Sequence, residues 1–204
     1  MSLISNCTPK TDETGKKIGM WLFLYTEIIL FGGLFVLYAV YFNIYLNDFI
    51  EGGKELSKTF GIINTIILLI SSFCVAASIT AVKKEEKNKA IGLLLASLLC
   101  GLVFLINKYF EWGHKIAHDI YPNSETLVNG PPGQNMFFGL YYVITGLHGV
   151  HIIIGMTLLA ISLRYVMTGE IKPTRYALLD NSGLYWHLVD LIWIFIFPLF
   201  YLVL

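Results

Sequence analysis

The chain has 204 residues, of which 56% are hydrophobic and only 14% charged, and its mean hydropathy is +0.67. Soluble domains carry roughly a quarter charged residues, so this balance excludes an ordinary water-soluble domain and points to lipid as the solvent. Lys and Arg number 14, as do Asp and Glu, and a formal net charge of zero argues against an electrostatic binder of nucleic acid.

Residues 1–17 are polar and read as a cytoplasmic tail. A cleaved secretory signal would need an apolar stretch before a small-residue cleavage site. Five runs then approach the ~20 apolar residues that a helix needs to cross hydrocarbon: 18–45, 59–82, 89–112, 134–165 and 182–204. Turn-forming or charged residues separate them. These are Asn47-Asp48 and Gly52-Gly53, the charge run from Lys83 to Lys89, Asn129-Gly130-Pro131-Pro132-Gly133, and the 169–180 segment with Pro173. The fold predicted is all-α, a single polytopic bundle of five transmembrane helices over 18–204, with no element of its own in the longest loop, between the third and fourth runs. Cys7, Cys74 and Cys100 are isolated and lack CxxC spacing, which suggests neither a disulfide framework nor a thiolate metal site.

Basic residues concentrate on one side of this bundle. Lys10, Lys16 and Lys17 lie in the tail, Lys83, Lys84, Lys87 and Lys89 in the second loop, and Arg164, Lys172 and Arg175 around the fourth. The other side has Lys54, Lys58 and Lys115, with Lys108 just inside a helix end. By the positive-inside rule the N-terminus is cytoplasmic and the C-terminus outside. On the second and third runs, Asn64, Ser71 and Ser78 recur every seven residues, and Gly92, Ala96 and Cys100 every four. Small residues at such spacing let helices approach closely in lipid. Gly146, Gly149 and Gly155 suggest the same for the fourth.

The ionisable residues inside the runs carry the functional question. Glu27 lies roughly 13 Å along its helix, where an acidic group costs about 3 kcal/mol to insert, so it is expected to face the protein interior. His148 and His151 share a helix face, as do His187 and Asp190, and Asp190 is expected to partner His187. A polar cluster of Glu27, His148, His151, His187 and Asp190 is geometrically possible. Three readings of it stay open on residue chemistry alone: a hydrogen-bond network tying helices together, a metal site built on His-x-x-His and His-x-x-Asp, or a proton or substrate path. Glu111, at the outer boundary, has Lys108 and Lys115 within one helical turn for local pairing.

At these residues the sequence resembles a known family. Thr145-Gly146-Leu147-His148-Gly149-Val150-His151, continuing to Gly155, is similar to the TGxHGxHxxxG signature of subunit III of haem-copper respiratory oxidases. Tyr185-Trp186-His187-Leu188-Val189-Asp190-Leu191-Ile192-Trp193 resembles that family's WHFVDVVW segment. Glu27 falls where the family has its intramembrane acidic residue, Asn64-Thr65 matches the start of its next helix, and Glu111 aligns with its Glu at the end of the third run. The resemblance covers residues 18–204. Mitochondrial members have seven helices; the five runs here are similar to the short bacterial form.

The resemblance implies an accessory subunit III of a proton-pumping terminal oxidase in a bacterial inner membrane, with cytochrome c oxidase preferred over quinol oxidase. It implies no catalytic residue, metal or cofactor in this chain. Haem and copper are expected in partner subunits, with packing against subunit I, further contact with subunits II and IV, and bound phospholipid. The structural-network reading of the buried charges is then favoured. A nitric oxide reductase-associated homologue and a stand-alone membrane metalloenzyme are the alternatives.

Overall fold

The computed structural model describes residues 13–173 and 175–202. Seven α-helices follow in chain order: α1 (Glu13–Ile44), α2 (Leu46–Lys54), α3 (Lys58–Lys83), α4 (Lys87–Ala117), α5 (Glu125–Val128), α6 (Pro132–Thr168) and α7 (Ala177–Phe197). A π-helical turn, Pro198–Leu202, extends α7. Five of these helices are long and apolar enough to cross a membrane, and no strand forms among the described residues. The all-α, five-span architecture is therefore the one the apolar runs predict.

The helices extend beyond those runs. The first starts at Glu13, inside the segment read as a tail, whose first twelve residues lie outside the described part. The third span runs on to Ala117 and the fourth to Thr168. Hydropathy marks the hydrocarbon thickness, whereas the helical hydrogen-bond ladder continues into the headgroup region and stops at a cap. Pro132 sits in the first turn of α6, where a missing N–H costs nothing. Gly169, at φ 80°, ends the helix in the left-handed conformation that favours glycine.

Two loop expectations are corrected. The Asn47-Asp48…Gly52-Gly53 stretch is helix α2, and the third loop contains the single turn α5. Helix α2 packs against α6 through its small residues: a Cβ on Gly52 would lie 2.6 Å from the Phe137 ring. Asp48 accepts the Gly133 N–H at 3.1 Å, and a Cβ on Gly133 would collide with Asp48 and Tyr45. The glycines that read as turn punctuation are close-packing positions instead.

Helix α7 is central and α1 peripheral: 56% of the most apolar stretch of α7 is buried within the chain, against 11% for α1. Helices α3 and α4 share the largest interface, with α6 and α7 packed on them. The buried residues of α4 are Ala90, Leu94, Ser97, Gly101, Phe104, Lys108, Glu111 and Lys115. Their alternating steps of four and three follow the heptad geometry of a coiled-coil seam. Gly61, Asn64, Leu68, Ser71, Val75, Ser78 and Val82 do the same on α3. Across this seam Ser71 and Ser97 hydroxyls meet at 2.7 Å, and Asn107 donates to Asn64 Oδ1 at 2.9 Å.

Candidate functional site

Glu27 and His151 come together. His151 Nε2 lies 2.8 Å from Glu27 Oε2, with side chains 9% and 13% exposed. His151 Nδ1 sits 2.7 Å from the Leu147 carbonyl, and Phe31 meets the imidazole edge-on at 5.2 Å between centroids. Peripheral helix α1 is thereby tied to α6 within the apolar stretch.

The other members of the expected cluster stand apart from this pair and from one another. His148 is fully buried between Phe104 and Trp193, at 5.6 and 5.2 Å between ring centroids, and neither of its ring nitrogens is hydrogen-bonded. His187 Nδ1 meets the Ser72 hydroxyl at 2.6 Å, which joins α7 to α3. Asp190 is buried with no hydrogen bond on either oxygen and does not pair with His187; Ser72, already engaged by that imidazole, lies beside it. A three-residue spacing places both side chains on one flank of α7, but the small Ser72 across the interface reaches the imidazole first. Among the described residues no group of three His, Cys, Asp or Glu side chains is placed to hold a metal ion.

A second, denser polar cluster lies where sequence suggested only a local surface pair. Glu111 is 5% exposed, and Lys108 Nζ donates to its Oε2 at 2.9 Å. Tyr141 and Tyr201 hydroxyls both donate to Oε1, at 3.0 and 2.6 Å. The same ammonium lies 3.1 and 2.9 Å from those two phenol oxygens, using all three of its donors. It also sits 4.9 Å from the Tyr141 ring centroid and 5.3 Å from that of Trp193. One cation, one anion and two phenols thus satisfy each other between α4, α6 and the π-helical turn, and this neutral assembly fits a buried site.

Of the partners of Glu111, Lys108 was legible in principle. Lys108, Glu111 and Lys115 continue the same heptad that carries Leu94, Ser97 and Phe104, so their burial follows from register. Nothing in the sequence marks Tyr201, whose position depends on the π-helical turn after Pro198.

The packing glycines divide. A Cβ on Gly155 would lie 2.7 Å from Trp186, and one on Gly101 would lie 3.0 Å from the far edge of the same indole. Gly146 faces Trp112 at 3.2 Å, while Gly92 and Gly149 have open space where a Cβ would go. Asn64, Ser71 and Ser78 are fully buried, Trp186 Nε1 donates to Ser71, and Ser78 caps its own helix carbonyl at Val75. The expected Gly92, Ala96, Cys100 line is not the α4 seam, because steps of four rotate about 40° each around a helix.

The hydrogen-bonded members of these sets tie one helix to another, α1 to α6 through Glu27 and His151 and α3 to α7 through Ser72 and His187. Comparison with known proteins agrees with the sequence motifs. Residues 4–203 match the sequence profile described as cytochrome c oxidase subunit III. The cytochrome c oxidase subunit 3 of a Synechocystis species is 31% identical over 92% of this chain and 75% of its own. The cytochrome bo(3) ubiquinol oxidase subunit 3 of Buchnera aphidicola from Schizaphis graminum is 30% identical, covering 95% of this chain and 96% of its own. A haem-copper oxidase subunit I+III of Aeropyrum pernix is 31% identical over 92% of this chain, which spans 22% of that longer protein. With five helices able to cross a membrane and a family match along nearly its whole length, this chain is a membrane protein that belongs to the cytochrome c oxidase subunit III family of haem-copper oxidases.

Proposed function

We propose that this chain is the accessory, cofactor-free subunit III of a proton-pumping terminal oxidase in a bacterial inner membrane. In this reading it packs against subunit I, with subunits II and IV as further neighbours, and leaves haem and copper to its partners. The observation that carries it is the family match over residues 4–203, combined with a relative whose printed name joins subunits I and III in one protein. The dispersal of His148, His151, His187 and Asp190 into separate environments supports a structural role for them and argues against a metal shared among them. Glu27 and His151, held together between α1 and α6, are where support of proton uptake is assigned, and bound phospholipid belongs to the same reading.

Cytochrome c is the preferred electron donor. Quinol is the second reading, favoured by relatives of similar identity that are named quinol oxidase subunits. A subunit II with a two-cysteine copper motif in the purified complex indicates cytochrome c; its absence indicates quinol.

Mild-detergent purification of the tagged chain from its native membrane, followed by an optical spectrum, tests the assignment. Co-purifying haem bands are expected. Recovery of the chain without haem-bearing partners, with stoichiometric iron or zinc bound to itself, overturns it.

A further inference from the structure

His114 lies in the last turn of α4 and His118 caps its C-terminal end, four residues on and on the same face. Both side chains are exposed. Their rings stand 4.4 Å apart between centroids, with planes inclined at 49°. His118 Nδ1 lies 2.8 Å from the His114 carbonyl oxygen. A carbonyl only accepts, so Nδ1 of the neutral ring holds the proton and Nε2 keeps its lone pair. That Nε2 makes no hydrogen bond among the described residues, and neither ring nitrogen of His114 does.

This geometry suits a pair of metal ligands. An imidazole ligand almost always gives its second N–H to a carbonyl, a carboxylate or water, which fixes the tautomer and aims the other nitrogen. With metal–nitrogen bonds of about 2.0–2.1 Å, two imidazoles on adjacent corners of one ion place their centroids roughly 4.5–5 Å apart. The 4.4 Å seen here is a small side-chain adjustment from that spacing. The carbonyl end of a helix carries partial negative charge, which favours a cation. Lys115, next to His114 in sequence, turns its ammonium into the bundle and donates to the Glu55 carbonyl, where the Glu55 and Glu111 carboxylates also act on it.

We propose that His114 and His118 chelate one divalent ion of the zinc or copper class at the C-terminal end of α4, with water in the remaining positions. Imidazole suits those ions, whereas magnesium and calcium take oxygen ligands. The bound ion staples the last turn of α4 to its cap, on the side that faces outside in the orientation the basic residues predict. The site goes beyond the subunit assignment and does not depend on it. The ion is added and exchangeable, and co-purifying haem tests the assignment separately.

Two measurements on the purified complex, washed with chelator and carrying a histidine-free tag, test it. In calorimetric titration with Zn²⁺, His114→Asn and His118→Asn should each weaken one binding event by about 100-fold, because the remaining donor then binds without its tethered neighbour. The yield of haem-containing complex should not change, since both side chains are exposed. Zinc binding that is the same in the wild type and both variants overturns the site. Weakening in only one variant means that this histidine binds without the other, and the chelate fails. The second measurement needs no variant. Zn²⁺, but not Mg²⁺, should slow diethylpyrocarbonate modification of His114 and His118 together, as mapped by mass spectrometry of wild-type peptides. Modification of the pair at an unchanged rate overturns the proposal.

Discussion

His151 Nε2 faces Glu27 Oε2 at 2.8 Å while its Nδ1 faces the Leu147 carbonyl oxygen at 2.7 Å. A carbonyl oxygen only accepts, so Nδ1 carries a proton, and one further proton is shared along the line from Nε2 to Glu27. The pair is neutral overall whichever partner holds that proton. Neutrality lets a carboxyl group sit between hydrocarbon-facing helices without an unpaired charge.

Glu27→Gln should therefore keep the complex intact. The Gln amide donates to a bare Nε2, so the α1–α6 tie survives; oxygen reduction should persist, with any defect in sustained turnover. Glu27→Leu leaves the imidazole nitrogen unsatisfied, at a cost of about 1–3 kcal/mol. Yield of haem-containing complex and its thermal midpoint in detergent check both, and loss of the complex with Gln would refute the shared-proton geometry.

Lys108 and Glu111 should show strong coupling. Either Glu111→Leu or Lys108→Met strands a buried charge, and such single truncations cost about 3–5 kcal/mol. The double variant removes both charges and should destabilise less than the sum of the two. A double-mutant cycle on thermal unfolding of the purified complex measures this; additive effects would mean that the ion pair does not form.

Trp186 is pinched between two glycines, Gly155 and Gly101, on α6 and α4. Gly155→Ala should cost about 1–3 kcal/mol, because a rigid buried indole has no room to retreat from the added methyl. Gly149→Ala, between His148 and His151 in sequence yet open at Cβ, should change stability little. Thermal midpoints of the two variants side by side give the comparison.

Ser72→Ala should weaken the α3–α7 contact more than Asp190→Asn does. The first removes the hydroxyl that meets His187 Nδ1 at 2.6 Å; the second alters a carboxyl group with no hydrogen bond to lose. The Ser72 change is expected to cost about 1 kcal/mol through loss of a hydrogen bond to a partly buried nitrogen. Complex yields in the reverse order would place Asp190, not Ser72, as the partner of His187.

Much of the fold was legible because lipid makes strong demands. A spanning segment must satisfy every backbone group internally, so five apolar runs become five helices. The heptads through Asn64, Ser71 and Ser78 on α3 were legible for a related reason: small and polar side chains inside a membrane gather where helices touch. On α4 the more conspicuous line of Gly92, Ala96 and Cys100 misled, since the seam follows the seven-residue period through Ser97 and Gly101. Helix α2 was hidden because its Asn, Asp and Gly residues are ordinary turn formers, and only contact with Phe137 and Gly133 makes them helical.

Sequence alone determined that the chain lives in a membrane, how often it crosses, and which family motifs it carries, because hydropathy and residue spacing act locally along the chain. Only the tertiary structure decided which polar groups meet. Glu27 chose His151 rather than His148 or Asp190, His187 chose Ser72, and Glu111 became the centre of a buried four-residue cluster. Such pairings depend on helix rotation and on the π-helical turn after Pro198, and these are set by how whole faces pack rather than by any one residue's neighbours in the chain.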